Sequence, residues 1–93
     1  MIRSFRNRET AALFRDEAVR RFPPDLRKAA RRKLLLLDQA RVVEDLLIPP
    51  GNRLESLHAD RQGQWSIRIN RQWRLCFRFE DGHAWDVEIV DYH

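Results

Sequence analysis

Residues 65–90 read WSIRINRQWRLCFRFEDGHAWDVEIV, and their period of two decides the fold. Trp65, Ile67 and Ile69 alternate with Ser66, Arg68 and Asn70. Leu75, Phe77 and Phe79 alternate with Arg74, Cys76 and Arg78, and Trp85, Val87 and Ile89 alternate with Asp86, Glu88 and Val90. Successive side chains of a strand point to opposite sheet faces, so each run predicts a strand with one apolar side. Glu80-Asp81-Gly82 predicts a tight hairpin, because Asp-Gly supplies the positive φ such turns need. Strands joined by short connections pair antiparallel. The predicted sheet therefore has one apolar face and one face carrying Ser66, Arg68, Arg74, Arg78, Asp86, Glu88 and, at the end of the run, Tyr92.

Upstream the pattern changes. Leu54-Glu55-Ser56-Leu57 predicts one more strand, and Asp60-Arg61-Gln62-Gly63 a turn. Before them, Pro49-Pro50-Gly51 breaks a helical turn over Val42–Leu47. Leu26, Ala30, Leu34 and Leu37 fall on one stripe of a helix expected from Asp25 to about Ala40, with Arg27, Lys28, Arg31 and Arg32 on or near its other side. A first helix is expected from an Asn7 cap to about Arg21, where Phe22-Pro23-Pro24 stops it. Ile2-Arg3-Ser4-Phe5 alternates like a short strand. The expectation is a single α+β domain over residues 1–93, an antiparallel sheet with an N-terminal strand and a helical hairpin on its apolar face.

Charge is distributed unevenly. Residues 1–34 hold eleven Arg or Lys against four acids, and residues 35–93 hold seven against ten, which combine to the net +4. Sixteen of the eighteen basic residues are Arg, whose planar fork grips phosphate oxygens in pairs. Such a balance fits a polyanionic partner, or equally a solvated Arg-rich surface. The lone Cys76 excludes a disulfide within the chain and a thiolate metal cluster, and its place in a strand run suits a buried residue. No apolar run approaches membrane-spanning length and no secretory signal is evident, so a cytoplasmic protein is expected.

Cleaving RNA without a metal requires the 2′-hydroxyl to attack its neighbouring phosphate. That needs a base, an acid for the leaving 5′-oxygen, and cations for the phosphorane. The proton carriers on offer are His58, His83 and His93, and Arg68, Arg74 and Arg78 can clamp phosphate. His83 adjoins a turn and reads as a surface residue. His93, judged by residue type alone, reads as a fraying end. The C-terminal carboxylates read as partners of the strand arginines, and no metal or cofactor is expected. Residue by residue, the reading reaches a basic α+β domain compatible with RNA binding and goes no further.

Three segments in register carry it further. Ile48-Pro49-Pro50-Gly51-Asn52-Arg53-Leu54, Ser66-Ile67-Arg68-Ile69-Asn70 with Gln72-Trp73-Arg74-Leu75-Cys76-Phe77, and Val87-Glu88-Ile89-Val90-Asp91-Tyr92-His93 resemble the HigB toxins, the plasmid-maintenance killer proteins of bacterial type II toxin–antitoxin systems. The resemblance runs from Ile2 to His93. It implies a RelE-like microbial RNase fold and metal-independent cleavage of mRNA in the A site of the 30S subunit. It implies catalytic roles for His93, Tyr92, Asp91 and Arg74, with Arg68, His58 and Arg78 on the RNA. His58 stands where many relatives carry Lys. The implied partners are the ribosome, mRNA and a HigA-type helix-turn-helix antitoxin, with operator DNA reached only through that antitoxin. Arg27, Lys28, Arg31 and Arg32 suit ribosomal RNA or an acidic antitoxin equally. The alternatives are a non-catalytic ribosome- or RNA-binding inhibitor, and a purely structural partner of a DNA-binding repressor.

Overall fold

A computed structural model describes residues 1–92. Two helices, α1 (Arg8–Phe14) and α2 (Pro24–Gln39), precede four strands: β1 (Glu55–Ser56), β2 (Trp65–Arg68), β3 (Trp73–Glu80) and β4 (His83–Asp91). The strands form one antiparallel sheet in the order β1-β2-β3-β4. Period two and short turns dictate this meander, and the expected α+β class stands.

The α2 stripe is the expected one. Leu26, Ala30, Leu34 and Leu37 are all buried and meet Ile67, Leu75, Phe77, Val87 and Ile89 from the sheet. Each large apolar side chain so buried contributes about 1.5–3 kcal/mol. Pro24 opens α2 at the first helical position, where its missing N–H costs nothing. Asn7 caps α1 as expected, its side chain accepting from the Thr10 N–H at 2.9 Å. The buried Thr10 Oγ1 in turn accepts the Ile89 N–H at 3.1 Å, pinning α1 to β4.

Four expectations need adjustment. First, α1 stops at Phe14 rather than near Arg21. Asp16 takes a left-handed conformation (φ 65°), and the Asp16 and Glu17 N–H groups turn back to the carbonyls of Leu13 and Ala12. That is a Schellman stop built on Asp, a residue that tolerates αL, so no glycine or proline announces it. The chain beyond is then free to bring Val19 and Phe22 into the core.

Second, the phase of β4 changes partway. Asp86 has φ 53°, and the pairing slips between Cys76↔Glu88 and Arg78↔Trp85. This bulge sets one extra residue opposite β3, so Ala84 rather than Trp85 faces the core. Trp85 is turned to the open face, opposite Arg78. Third, Ile2 and Phe5 join β4 in parallel through two separate bridges, to Ala84 and Val87, instead of forming a continuous strand. The bulge lies between those bridges and interrupts the ladder. Fourth, β1 and β2 are shorter than the runs that predicted them. The Ile69 and Asn70 N–H groups already close the next turn onto the Trp73 carbonyl.

Candidate active site

The helices cover one sheet face. The site candidates Arg74, Arg68 and Tyr92 gather at one end of the other. Arg68 and Arg74 are direct partners across β2 and β3, and Val90 lies opposite Arg74 on β4. The Tyr92 ring stands 5.8 Å from the Arg74 guanidinium carbon, within cation–π range.

Arg74 is the best-held of these side chains. It is 8% exposed. Its Nε donates to Ser66 Oγ at 2.8 Å, and its Nη2 donates to the Arg53 carbonyl at 2.7 Å and to the Ser66 carbonyl at 3.4 Å. These acceptors are neutral, so they fix the guanidinium plane without cancelling its charge. Glu55, itself exposed, approaches Nη2 to 3.7 Å from the rim.

Two turns frame Arg74. The first runs through Pro49-Pro50-Gly51-Asn52-Arg53. Asn52 is fully buried, donates through Nδ2 to the carbonyls of Leu46 (3.1 Å) and Ile48 (3.4 Å), and accepts from the Lys33 ammonium of α2 through Oδ1. Arg53 follows in αL (φ 46°), with its carbonyl aimed at Arg74. The second is the β2–β3 turn. Asn70 Oδ1 accepts the N–H groups of Gln72 and Trp73, each at 2.9 Å. Gln72 then holds the C-terminal segment: its carbonyl accepts the Tyr92 N–H at 2.6 Å, and its side-chain amide donates to Asp91 Oδ2 at 3.2 Å.

The remaining candidates are held differently. Arg68 is half-buried, and its Nε donates to the Asn70 carbonyl at 3.1 Å, toward the turn. His58 is exposed at the β1–β2 connection, whose other end leads into Trp65 rather than Arg68. Arg78 lies four residues along β3 from Arg74, roughly 13 Å at strand rise. It is paired with Glu80 at 2.6 Å and Asp86 at 3.9 Å. His93 lies outside the described residues. Between the two β3 arginines, burial pushes the Cys76 thiol up to about 11, a value unsuited to a nucleophile. Among the described residues, no three His, Cys, Asp or Glu side chains gather as a metal site.

Reading by residue type passed over Ser66, the Arg53 carbonyl, Asn52, Asn70 and Gln72. It also passed over Arg61, whose Nη1 bridges Glu88 (2.8 Å) and Gln64 (3.1 Å) across the open face. The Glu88 hydrogen bond raises the Arg61 pKa. Asn70 alone left a local signal, an Asx-type turn residue between two apolar runs. On the helical layer, Arg27, Lys28, Arg31 and Arg32 line a separate groove of about 590 Å³ between α1 and α2.

Known proteins resemble this chain in sequence and in fold. The family model for the RelE-like toxin of type II toxin–antitoxin system HigB matches residues 3–93. Toxin HigB-1 of Vibrio cholerae serotype O1 is 46% identical over 69 residues, covering 74% of this chain and 73% of that protein. Endoribonuclease HigB of Proteus vulgaris is 31% identical over the whole of both chains. Among solved structures, a chain of the YoeB–YefM complex from Staphylococcus aureus superposes with a TM-score of 0.63 at 18% identity, covering 100% of this chain and 98% of that one. YafQ from Escherichia coli gives 0.58 at 14% identity, covering 98% and 93%. Those structures share the fold, and the sequence matches carry the family: the chain belongs to the HigB-like group of RelE-like toxins of type II toxin–antitoxin systems.

Proposed function

We propose that this toxin is a ribosome-dependent endoribonuclease that cleaves translated mRNA in the A site without a metal. The observation that carries the proposal is Arg74, a buried guanidinium held by neutral acceptors beside Tyr92 at the mouth of the open face. The reaction needs such a cation. When the 2′-oxygen bonds to phosphorus, the phosphorane gains charge on its equatorial oxygens, and a preorganised donor lowers that barrier.

In the proposed mechanism, His93 takes the proton from the 2′-hydroxyl or delivers one to the 5′-oxygen as the P–O5′ bond breaks. The products are a 2′,3′-cyclic phosphate and a free 5′-hydroxyl. Asp91 orients His93 and supports its charged form. Tyr92 stacks on a base or assists proton transfer, with its ring already set against Arg74. Arg68 assists with the phosphate, while His58 and Arg78 contact the RNA backbone farther along the face. The partner that silences the toxin is a HigA-type helix-turn-helix antitoxin, through which the pair reaches its operator. The YoeB–YefM neighbour, itself a toxin–antitoxin complex, supports an antitoxin partner.

The test is induced expression with and without the antitoxin, followed by mapping of mRNA 5′ ends. Wild-type toxin is expected to arrest growth and leave new 5′ ends within translated codons. His93→Ala is expected to abolish them. Arrest without new 5′ ends would make the toxin an occupancy inhibitor, and unchanged cleavage by His93→Ala would remove that residue from the mechanism.

A further inference from the structure

Arg74 is aimed from two independent directions. From β2, Ser66 Oγ receives Nε at 2.8 Å, and Ser66 is fully buried, so no water competes for that bond. From the loop before β1, the Arg53 carbonyl receives Nη2 at 2.7 Å. That carbonyl is braced by the residue before it, because both amide atoms of the buried Asn52 are bonded, Nδ2 to Leu46 and Ile48 and Oδ1 to Lys33. The bonds named engage Nε and Nη2 on one side of the guanidinium. A rigid planar fork fixed at two nitrogens holds its remaining Nη1 N–H groups in a set orientation.

We propose that Ser66 and the Asn52-braced carbonyl of Arg53 form a clamp that aims Arg74 at the scissile phosphate, making Ser66 and Asn52 positioning residues for the cleavage step. The proposal rests on the reading of Arg74 as the phosphorane's cation. A buried Ser contacts this guanidinium directly and a buried, fully bonded Asn braces the carbonyl beside it. Buried polar groups of this kind are costly to leave unpaired. The clamp puts their bonds where a displacement of about 1 Å slows chemistry strongly.

The test measures single-turnover cleavage of ribosome-bound message, together with ribosome affinity, for Ser66→Ala, Ser66→Thr, Arg74→Ala and the Ser66→Ala/Arg74→Ala double variant. Ser66→Ala is expected to slow cleavage about tenfold with unchanged affinity. Ser66→Thr, which keeps the hydroxyl, is expected to recover most of the rate. The double variant should be no slower than Arg74→Ala alone, because Ser66 acts only through Arg74. Additive losses, or a wild-type rate for Ser66→Ala, would overturn the clamp. A wild-type rate for Arg74→Ala would instead overturn the phosphate reading and the proposal with it.

A second measurement does not depend on activity. The Arg74 Nε–H resonance in the free toxin is expected to be protected from solvent exchange, and to lose that protection in Ser66→Ala and in Asn52→Asp, which keeps the Lys33 contact but loses the Nδ2 donors. Fast exchange in the wild type would overturn the clamp even if every variant were inactive or poorly folded.

Discussion

Arg74 and Arg78 share a strand and a face, yet their surroundings are opposite. The Arg74 side chain is 10% exposed and is held mainly by a hydroxyl and two carbonyls. The Arg78 side chain is 47% exposed and is held by the Glu80 carboxylate at 2.6 Å, with Asp86 at 3.9 Å. Near Arg74, by contrast, the Glu55 carboxylate stands off at 3.7 Å, beyond hydrogen-bond distance. Neutral acceptors fix a cation and leave its field available, whereas carboxylates fix it and consume the field. Under the proposed mechanism the first arrangement suits the reacting phosphate, and the second leaves Arg78 a weaker contact with the RNA backbone. The number of arginines on a sheet face therefore says little until the partners of each are known.

Removing the two side chains puts this contrast to its strongest test. Arg74→Ala should lower the cleavage rate by about 10²–10³, the cost of deleting one preorganised transition-state donor. Arg78→Ala should lower it less than about threefold. Similar losses in a single-turnover assay would erase the distinction drawn here.

A second substitution makes Arg74 resemble Arg78. Ser66→Asp places a carboxylate against Nε, and the expected loss of cleavage is on the order of a hundredfold while a cooperative unfolding transition is retained, since a charge-assisted bond replaces a neutral one. Full activity in that variant would show that the neutrality of the clamp is irrelevant.

Cys76, between the two arginines, reports how dry this face is. Its thiol is raised from 9.0 to about 11 chiefly by burial. Between those values the folded thiol keeps its proton and the unfolded one loses it. The Cys76 contribution to stability should therefore fall as pH rises through that window, by about 1.4 kcal/mol per unit at most, and Cys76→Ala should remove that contribution. Urea midpoints of wild type and Cys76→Ala measured from pH 8 to 11 test this, and identical profiles would mean that water reaches the thiol.

The smallest effect belongs to the exposed pair. Glu80→Gln should leave stability nearly unchanged, as expected for a surface ion pair, and this is checked by thermal unfolding at low and high salt.

Much of the fold was legible because periodicity is local. Leu26, Ala30, Leu34 and Leu37 announced the buried side of α2, and Asp81-Gly82 marked the hairpin turn, where both residues have positive φ. The stop of α1 and the bulge in β4 were not legible, because each depends on an aspartate entering the left-handed region, Asp16 and Asp86, and aspartate is ordinary in many contexts. Resemblance named Arg74, Asp91 and Tyr92 as site candidates, and the fold sets the Tyr92 ring against Arg74. The groups that hold Arg74 were hidden for a different reason. Arg53 contributes a carbonyl that any residue possesses, and Ser66 has no distinguishing feature until β2 and β3 pair.

The attachment of the first ten residues to β4 has one more consequence. The β4 N–H groups of Ala84, Asp86, Val87 and Ile89 are taken by the Met1 carbonyl, Ser4 Oγ, the Ser4 carbonyl and Thr10 Oγ1. Among the described residues, these donors on that border are already engaged, and the opposite border is the two-residue β1. The engaged donors on this border leave little of it exposed as a template on which a stray strand could grow. Edge-to-edge polymerisation, the common hazard of a small open sheet, is closed off by the same N-terminal segment that anchors α1.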